Sequence, residues 1–203
     1  MKYQIIKNTI PENIDFGAIL NINTNSVTSH THGFHKYPAK FIPQIPQWAI
    51  NKYLKNKTDK LILEPFCGSG TTLVESTLSG NYSIGIDIDP LSALISKVKT
   101  TKINIEKLLK IADWLKKNVG NSPKELFVPD CQTLEHWFTK EAINKLSVIR
   151  TLINNVTDNF GEKTEIKDIQ DLLIICFSSI IRRVSNADNE SQKTYVSHTK
   201  IKQ

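Results

Sequence analysis

The alternation of hydrophobic and polar positions is clearest between residues 60 and 98. Residues 60–65 form a short apolar run that ends at a proline, as a buried parallel strand would. After two glycines, residues 71–78 carry apolar side chains at helical spacing behind a threonine suited to an N-cap, and Gly80 ends this pattern. Residues 82–90 predict a second strand, with carboxylates near its end, and residues 91–98 a second helix. This β-α-β-α order predicts an α/β fold with a parallel sheet.

The chain on either side of this passage has a different pattern. Residues 1–34 show no sustained period, which indicates an irregular N-terminal arm, and a short helix is predicted from Pro46. Beyond residue 99, apolar side chains recur every three to four positions. These repeats predict helices over residues 105–117, 140–156 and 166–184. Residues 125–130 are a candidate third strand, although they lie farther from Asp87 than one helix and two turns require.

The pattern therefore predicts three regions: an arm over residues 1–34, a β-α-β-α region with an upstream element over residues 35–100, and a mostly helical region over residues 101–203. The length of 203 residues, with 39% hydrophobic and 23% charged residues, is enough for one ordinary core and argues against disorder.

Charge and cysteine content give limited information about the partners and location of the protein. Lys and Arg total 26 against 20 Asp and Glu, and the first 60 residues hold 8 of the basic residues and 3 of the acidic ones. This surplus is compatible with a polyanionic partner without establishing one. The three cysteines are far apart and form no CxxC pair, which favours a reducing, cytoplasmic location over a disulfide framework. No run approaches the roughly 20 apolar residues of a membrane span, so we expect no membrane partner.

The Gly-Ser-Gly turn at residues 68–70 suggests a ligand site, because such a turn lets backbone and helix N-terminal amides approach a ligand closely. A P-loop needs a lysine after its last glycine, where Thr71 stands, and the dinucleotide fingerprint needs a small residue where Leu73 stands. Glu64 and Asp87 suit a ligand with an ammonium group and a ribose diol but no phosphate, as in S-adenosylmethionine. The alternative is a tight strand–helix connection without a ligand.

Three segments carry a family resemblance: residues 64–72 (Glu-Pro-Phe-Cys-Gly-Ser-Gly-Thr-Thr), residues 85–90 (Gly-Ile-Asp-Ile-Asp-Pro) and residues 35–43 (His-Lys-Tyr-Pro-Ala-Lys-Phe-Ile-Pro). In their order along the chain, with residues 35–43 upstream, they closely resemble motifs of the DNA amino-methyltransferases, which methylate N4 of cytosine or N6 of adenine. The resemblance implies a Rossmann-like, S-adenosylmethionine-dependent methyltransferase fold, a DNA partner and a role in restriction–modification. The cofactor-binding residues that it implies are Tyr37, Pro38, Ala39, Lys40, Phe41, Glu64, Phe66, Cys67, Gly68, Ser69, Gly70, Thr71, Thr72, Asp87 and Asp89.

The family's catalytic tetrapeptide, Asp/Ser/Asn-Pro-Pro-Tyr/Phe, has no counterpart, because the 203 residues contain no Pro-Pro dipeptide. The resemblance thus implies the N-terminal, cofactor-binding portion of the enzyme, with a partial fold and no catalytic residue of its own, inactive alone. A second polypeptide would then carry the catalytic half, or the gene is interrupted. A non-catalytic cofactor-binding regulatory or specificity subunit and part of an RNA methyltransferase remain alternatives. The modified base, the DNA site and the oligomeric state stay open.

Other candidate residues have competing interpretations. His30, His32 and His35 are spaced for a loop metal site but lack nearby Cys or carboxylate ligands, so we expect no metal. Asp130 belongs either to the end of a third strand, where it would accept from the cofactor's adenine amine, or, as the long gap favours, to an inserted helical region. The N-terminal lysines are either phosphate contacts or a solvated face; they are Lys36, Lys40, Lys52, Lys55 and Lys57.

Overall fold

A computed structural model describes residues 5–7, 10–21, 28–38, 40–121, 123–188 and 196–197. The chain divides into two compact units, Met1–Thr101 and Lys102–Gln203. The first unit contains β1 (Ile5–Lys7), β2 (Ile19–Asn21), a 3₁₀ helix (His30–Gly33), α1 (Gln44–Leu54), β3 (Leu61–Glu64), α2 (Thr71–Leu78), β4 (Tyr82–Gly85) and α3 (Pro90–Thr100). The second contains α4 (Ile105–Asn118), α5 (Leu134–Trp137), α6 (Lys140–Asn154), α7 (Val156–Phe160) and α8 (Thr164–Val184).

The first unit confirms the predicted β-α-β-α order. β3 and β4 pair in parallel, with Leu61 opposite Tyr82 and Glu64 opposite Gly85. α2 packs against both strands and against α3, and its buried face includes Leu73 and Val74. The helix begins at Thr71, but its N-cap is Gly70 in the left-handed region, without a side-chain cap. The predicted threonine cap is therefore wrong: the turn glycine occupies that position.

The N-terminal arm contains short regular elements that the hydrophobic pattern does not predict. β1 and β2 pair in parallel over three residues each, and the 3₁₀ helix follows. Strands of three residues are too short to display a period of two, which explains their absence from the prediction.

The second unit is helical, as predicted. Ile111 of α4, Val156 of α7, and Ile166 and Ile169 of α8 form one buried cluster. Trp114 packs beside this cluster, and its ring meets that of Phe160 edge to face at 5.7 Å. Apolar burial between helices is thus the main source of stability in this unit.

The third-strand candidate is wrong, since residues 125–130 form no strand. Phe127 donates its backbone N–H to Thr151 Oγ1 at 2.8 Å instead of to a strand neighbour. Pro129 also removes one ladder donor. Asp130 is exposed in this irregular segment of the second unit.

In the described part of the chain, no helix is both long and apolar enough to cross a lipid bilayer.

Candidate functional site

Two carboxylates lie at neighbouring ends of the parallel strands. Beyond the last paired residues, Ile86 donates to the Glu64 carbonyl and Cys67 donates to the Ile86 carbonyl, both at 2.9 Å. These bonds keep the segments that follow β3 and β4 side by side beyond the sheet. Glu64 and Asp87 therefore lie at the same edge. In open parallel sheets this carboxyl edge is where ligands bind.

Asp87 joins the end of β4 to the glycine turn. Its Oδ2 accepts the N–H of Gly68 at 2.7 Å and its Oδ1 accepts the N–H of Asp89 at 2.9 Å. The side chain is half-buried. Because each carboxylate oxygen can accept more than one hydrogen bond, Asp87 keeps capacity for a ligand's hydroxyl groups.

Backbone geometry explains the two glycines of the turn. Gly68 and Gly70 have φ values of 48° and 76°, in the left-handed region that favours glycine. A Cβ on Gly70 would lie 2.7 Å from Ser96 Cβ, because α3 passes directly behind the turn. The side of Gly68 faces Tyr37, whose Cε1 is 3.5 Å from where a Cβ would stand. The turn is therefore packed closely between α3 and the upstream element.

Glu64 and Asp89 have partners of their own. Glu64 accepts from the Phe66 N–H at 3.3 Å and from Thr72 Oγ1 at 3.0 Å. Asp89 caps α3 by accepting from Leu91 N at 3.0 Å, and it also accepts from Ser92 Oγ at 2.9 Å. The geometry thus gives Asp89 a structural role, and its contact with a cofactor stays a prediction.

The upstream element contacts the site through Tyr37 and Lys40. Tyr37 Oη lies 2.7 Å from Ser92 Oγ, and Lys40 Nζ donates to the carbonyl of His32 at 3.0 Å. Pro38 and Phe41 are exposed, and Ala39 lies outside the described residues. The structure therefore brings Tyr37 of the upstream element, residues 35–43, to the glycine turn and directs Lys40 to the backbone of the 3₁₀ helix.

Two apolar side chains stand exposed beside the carboxylates. Phe66 is 86% exposed and Ile88, between Asp87 and Asp89, is 100% exposed. The sequence motifs do not single out Ile88 as a site residue. An apolar residue between two carboxylates at a strand end is the feature that marks it, since an unburied isoleucine there leaves an apolar surface for a flat ligand.

Cys67 and Ser69 are buried within the turn. Burial is the main cause that raises the pKa of the Cys67 thiol, so this side chain is a neutral thiol at physiological pH. Its Sγ lies 3.8 Å from Ser96 Oγ. Ser69 is 2% exposed and its Oγ has no hydrogen-bond partner among the described residues. A buried hydroxyl without a partner beside a ligand turn is an available donor.

His32 and His35 point to different partners. His32 is buried, with Nε2 2.8 Å from Glu75 Oε1, whereas His35 Nδ1 is 2.8 Å from the carbonyl of Lys36. The described residues contain no group of three or more His, Cys, Asp or Glu side chains placed to hold a metal ion.

The lysines predicted as phosphate contacts differ in their surroundings. Lys52 Nζ donates to the Glu12 carbonyl and lies 4.8 Å from the centre of the Trp48 ring. Lys36, Lys55 and Lys57 are exposed. These three exposed lysines are available to a polyanion, and that contact stays a prediction.

Comparison with known proteins gives one family and three relatives. Residues 3–97 match the family described as DNA methylase. The chain is 34% identical over 196 residues to the Type II methyltransferase M.MvaI of Kocuria varians. The alignment covers 92% of this chain and 40% of the relative. It is 40% identical over 132 residues to the Type II methyltransferase M.MjaII of Methanocaldococcus jannaschii, covering 59% of this chain and 24% of that relative.

A third relative is the Type II methyltransferase M.BsoBI of Geobacillus stearothermophilus, 30% identical over 173 residues, or 84% of this chain and 27% of the relative. The chain thus spans less than half the length of each of these relatives. No solved structure matches the chain.

Proposed function

Residues 3–97 belong to the DNA methylase family, and on that premise we propose that this chain binds S-adenosylmethionine for a site-specific DNA methyltransferase acting on N4 of cytosine or N6 of adenine. The observation that carries the proposal is the Asp87–Gly68 hydrogen bond, which places a carboxylate against a glycine turn at the carboxyl edge of a parallel sheet.

The residues at this edge fit the groups of the proposed cofactor. Asp87 can accept from the ribose hydroxyls, and Glu64 from the methionine ammonium. The exposed faces of Phe66 and Ile88 suit an adenine ring, which is flat and largely apolar. Ser69 Oγ, buried without a partner among the described residues, supports a polar ligand at the turn.

When bound, S-adenosylmethionine supplies an electrophilic methyl group on its sulfonium. The contribution of this chain is to bind and orient: Asp87 fixes the ribose end, and Tyr37 closes over the glycine turn at the other side. Holding a reacting group in one orientation is itself a large part of catalysis. Neither Asp87 nor Glu64 needs to transfer a proton in this role.

We further propose that the catalytic tetrapeptide, which these 203 residues lack, is supplied from outside them, by a further segment of the same chain or by a second polypeptide. Parallel sheets are normally covered on both faces. The outward row of the β3–β4 pair is instead exposed, with Leu61 at 65%, Leu63 at 62%, Tyr82 at 66% and Ile84 at 49%. An apolar row of this kind supports a covering segment from outside these 203 residues.

Calorimetric titration with S-adenosylmethionine tests the cofactor proposal. Wild-type chain should bind, and Asp87→Asn should bind about tenfold more weakly, the equivalent of one net hydrogen bond. Asp113→Asn, an exposed carboxylate on α4, is the matched control and should bind as wild type. Absence of binding to wild-type chain, alone and with the completing polypeptide, overturns the proposal.

Methyl transfer to DNA tests the proposal that the catalytic tetrapeptide is supplied from outside these residues. Adding a polypeptide that carries the catalytic tetrapeptide should produce radiolabelled DNA, and the chain alone should not. Cofactor binding without methylation in the completed mixture would favour a non-catalytic subunit instead. Labelled RNA without labelled DNA would favour the RNA methyltransferase.

A further inference from the structure

A buried lysine lies directly behind the glycine turn. Lys99 of α3 is 4% exposed, and its Nζ donates to the backbone carbonyl of Ser69 at 2.8 Å. Ser69 is the middle residue of the turn and is itself 2% exposed. Burying an ammonium costs free energy. A lysine buried at this place therefore indicates that the position of the Ser69 carbonyl is important.

The same lysine is connected to the 3₁₀ helix. Thr31 Oγ1 donates to the carbonyl of Lys99 at 3.0 Å. The 3₁₀ helix that carries Thr31 is also held to α2, because His32 Nε2 lies 2.8 Å from Glu75 Oε1. His32 and Glu75 are both buried, at 1% and 4% exposure.

Lys40 completes these contacts by donating to the carbonyl of His32 at 3.0 Å. We call the five residues Thr31, His32, Lys40, Glu75 and Lys99 the anchor cluster. It joins the 3₁₀ helix, the upstream element, α2 and α3 around the back of the turn.

We propose that Lys99 is a positioning residue, which fixes the Ser69 carbonyl and thereby holds the glycine turn and the upstream element in one arrangement for the cofactor. The ligand's identity rests on the function proposed above. The positioning of the turn does not, since it follows from contacts within the chain.

Electrostatics make this contact dependent on pH. Burial is the larger of two causes that lower the pKa of Lys99 to about 8, and the positive charge of Lys40 is the other. The elements packed against α3 also carry Glu75 on α2 and His30 and His32 in the 3₁₀ helix. Above pH 8 the charge-assisted hydrogen bond to Ser69 becomes a weaker neutral one.

Amide hydrogen exchange without any ligand tests the positioning directly. In Lys99→Met, exchange at Gly68 and Gly70 should be about tenfold faster than in wild type, as expected for one lost net hydrogen bond. Lys97→Met, on the exposed side of the same helix, is the matched control and should leave these amides unchanged. Unchanged exchange in Lys99→Met, or an equal increase in both variants, overturns the proposal.

The pH profile of cofactor affinity separates positioning from general destabilisation. The probe is S-adenosylhomocysteine, whose thioether lacks the base-labile sulfonium. The ratio of the Kd of Lys99→Met to that of wild type should be largest near pH 7 and should fall severalfold by pH 9.5. Titration of the ligand's own amine cancels in this ratio. A ratio independent of pH overturns the proposal.

If wild-type chain binds no cofactor, the proposed function fails while hydrogen exchange still decides the role of Lys99.

Discussion

Asp87 and Gly68 are joined by a 2.7 Å hydrogen bond from the glycine N–H to the carboxylate, although 19 positions separate them in the chain. The contact connects the end of β4 to the turn that follows β3. A hydrogen bond from a backbone N–H to a charged carboxylate is among the stronger hydrogen bonds in proteins. The shape of the turn and the position of the proposed ribose contact therefore depend on one side chain.

Asp87→Asn should destabilise the first unit as well as weaken cofactor binding. The amide NH₂ replaces one of the two acceptor oxygens, so that either Gly68 or Asp89 loses its partner. We expect a loss of about 1–3 kcal/mol in the free energy of unfolding, measured by urea denaturation. A variant as stable as wild type would show that these two hydrogen bonds contribute little.

Gly70→Ala should be much more destabilising than alanine at Gly120 or Gly161. The new Cβ would lie 2.7 Å from Ser96 Cβ and 2.9 Å from Ser96 Cα, at a φ of 76°. Left-handed strain of about 1–2 kcal/mol and overpacking of about 1–3 kcal/mol both apply.

Two further glycines serve as controls for this prediction in thermal or urea unfolding. Gly161→Ala has strain without a clash, because its φ is 90° and no atom lies within 4 Å of the added Cβ. Gly120→Ala has neither. Equal losses at Gly70 and Gly161 would contradict the close packing of α3 behind the turn.

Glu75→Leu should destabilise the first unit by about 1–3 kcal/mol, the cost of an unpaired buried polar group. His32 Nδ1 already lacks a partner among the described residues, so this change leaves both ring nitrogens unpaired. Glu75→Gln keeps a hydrogen-bonding oxygen and should lose less. Glu141→Gln, which breaks an exposed pair with Lys145, is the control and should leave the urea midpoint unchanged. A Glu75→Leu midpoint equal to wild type would contradict the anchor cluster.

Stability should rise with pH above 8 because of Lys99. Its folded pKa of about 8 is below the ordinary 10.5, so between these values the unfolded chain holds a proton that the folded chain has released. Unfolding should therefore cost about 2 kcal/mol more at pH 9.5 than at pH 7 from this group alone. The measurement is the difference in urea unfolding between wild type and Lys99→Met, which isolates the lysine. An opposite slope, or none, would contradict its burial as a charged group.

The sequence predicts the β-α-β-α passage well because its local features agree. Pro65 ends an apolar run, glycines form the turn, and Asp89 stands as the N-cap directly before Pro90. Residues 125–130 have a similar run of apolar side chains, yet Val128 is exposed and Phe127 bonds to Thr151. Local pattern does not tell whether a neighbouring strand is present, and here the tertiary structure provides none.

The buried residues of the site are not predictable from the sequence. Lys99 lies in a helical segment that also contains Lys97, a pattern that indicates a solvated face. His32 lies among polar residues of the arm. Their burial arises only when α3, α2 and the 3₁₀ helix meet behind the turn. Glu64 and Asp87, in contrast, are predictable, because the ends of parallel strands meet at one edge whatever the rest of the fold.

Mapping the cofactor contacts by NMR tests whether the Asp87–Gly68 edge binds S-adenosylmethionine. In a titration of ¹⁵N-labelled chain with S-adenosylmethionine, backbone amide shifts should change with saturation at Phe66, Gly68, Gly70 and Ile88. Those of the helical unit, residues 102–188, should stay fixed. Saturable shifts confined to the helical unit, or no shifts at concentrations where the proposed site is filled, would contradict the assignment of the cofactor to the Asp87–Gly68 edge.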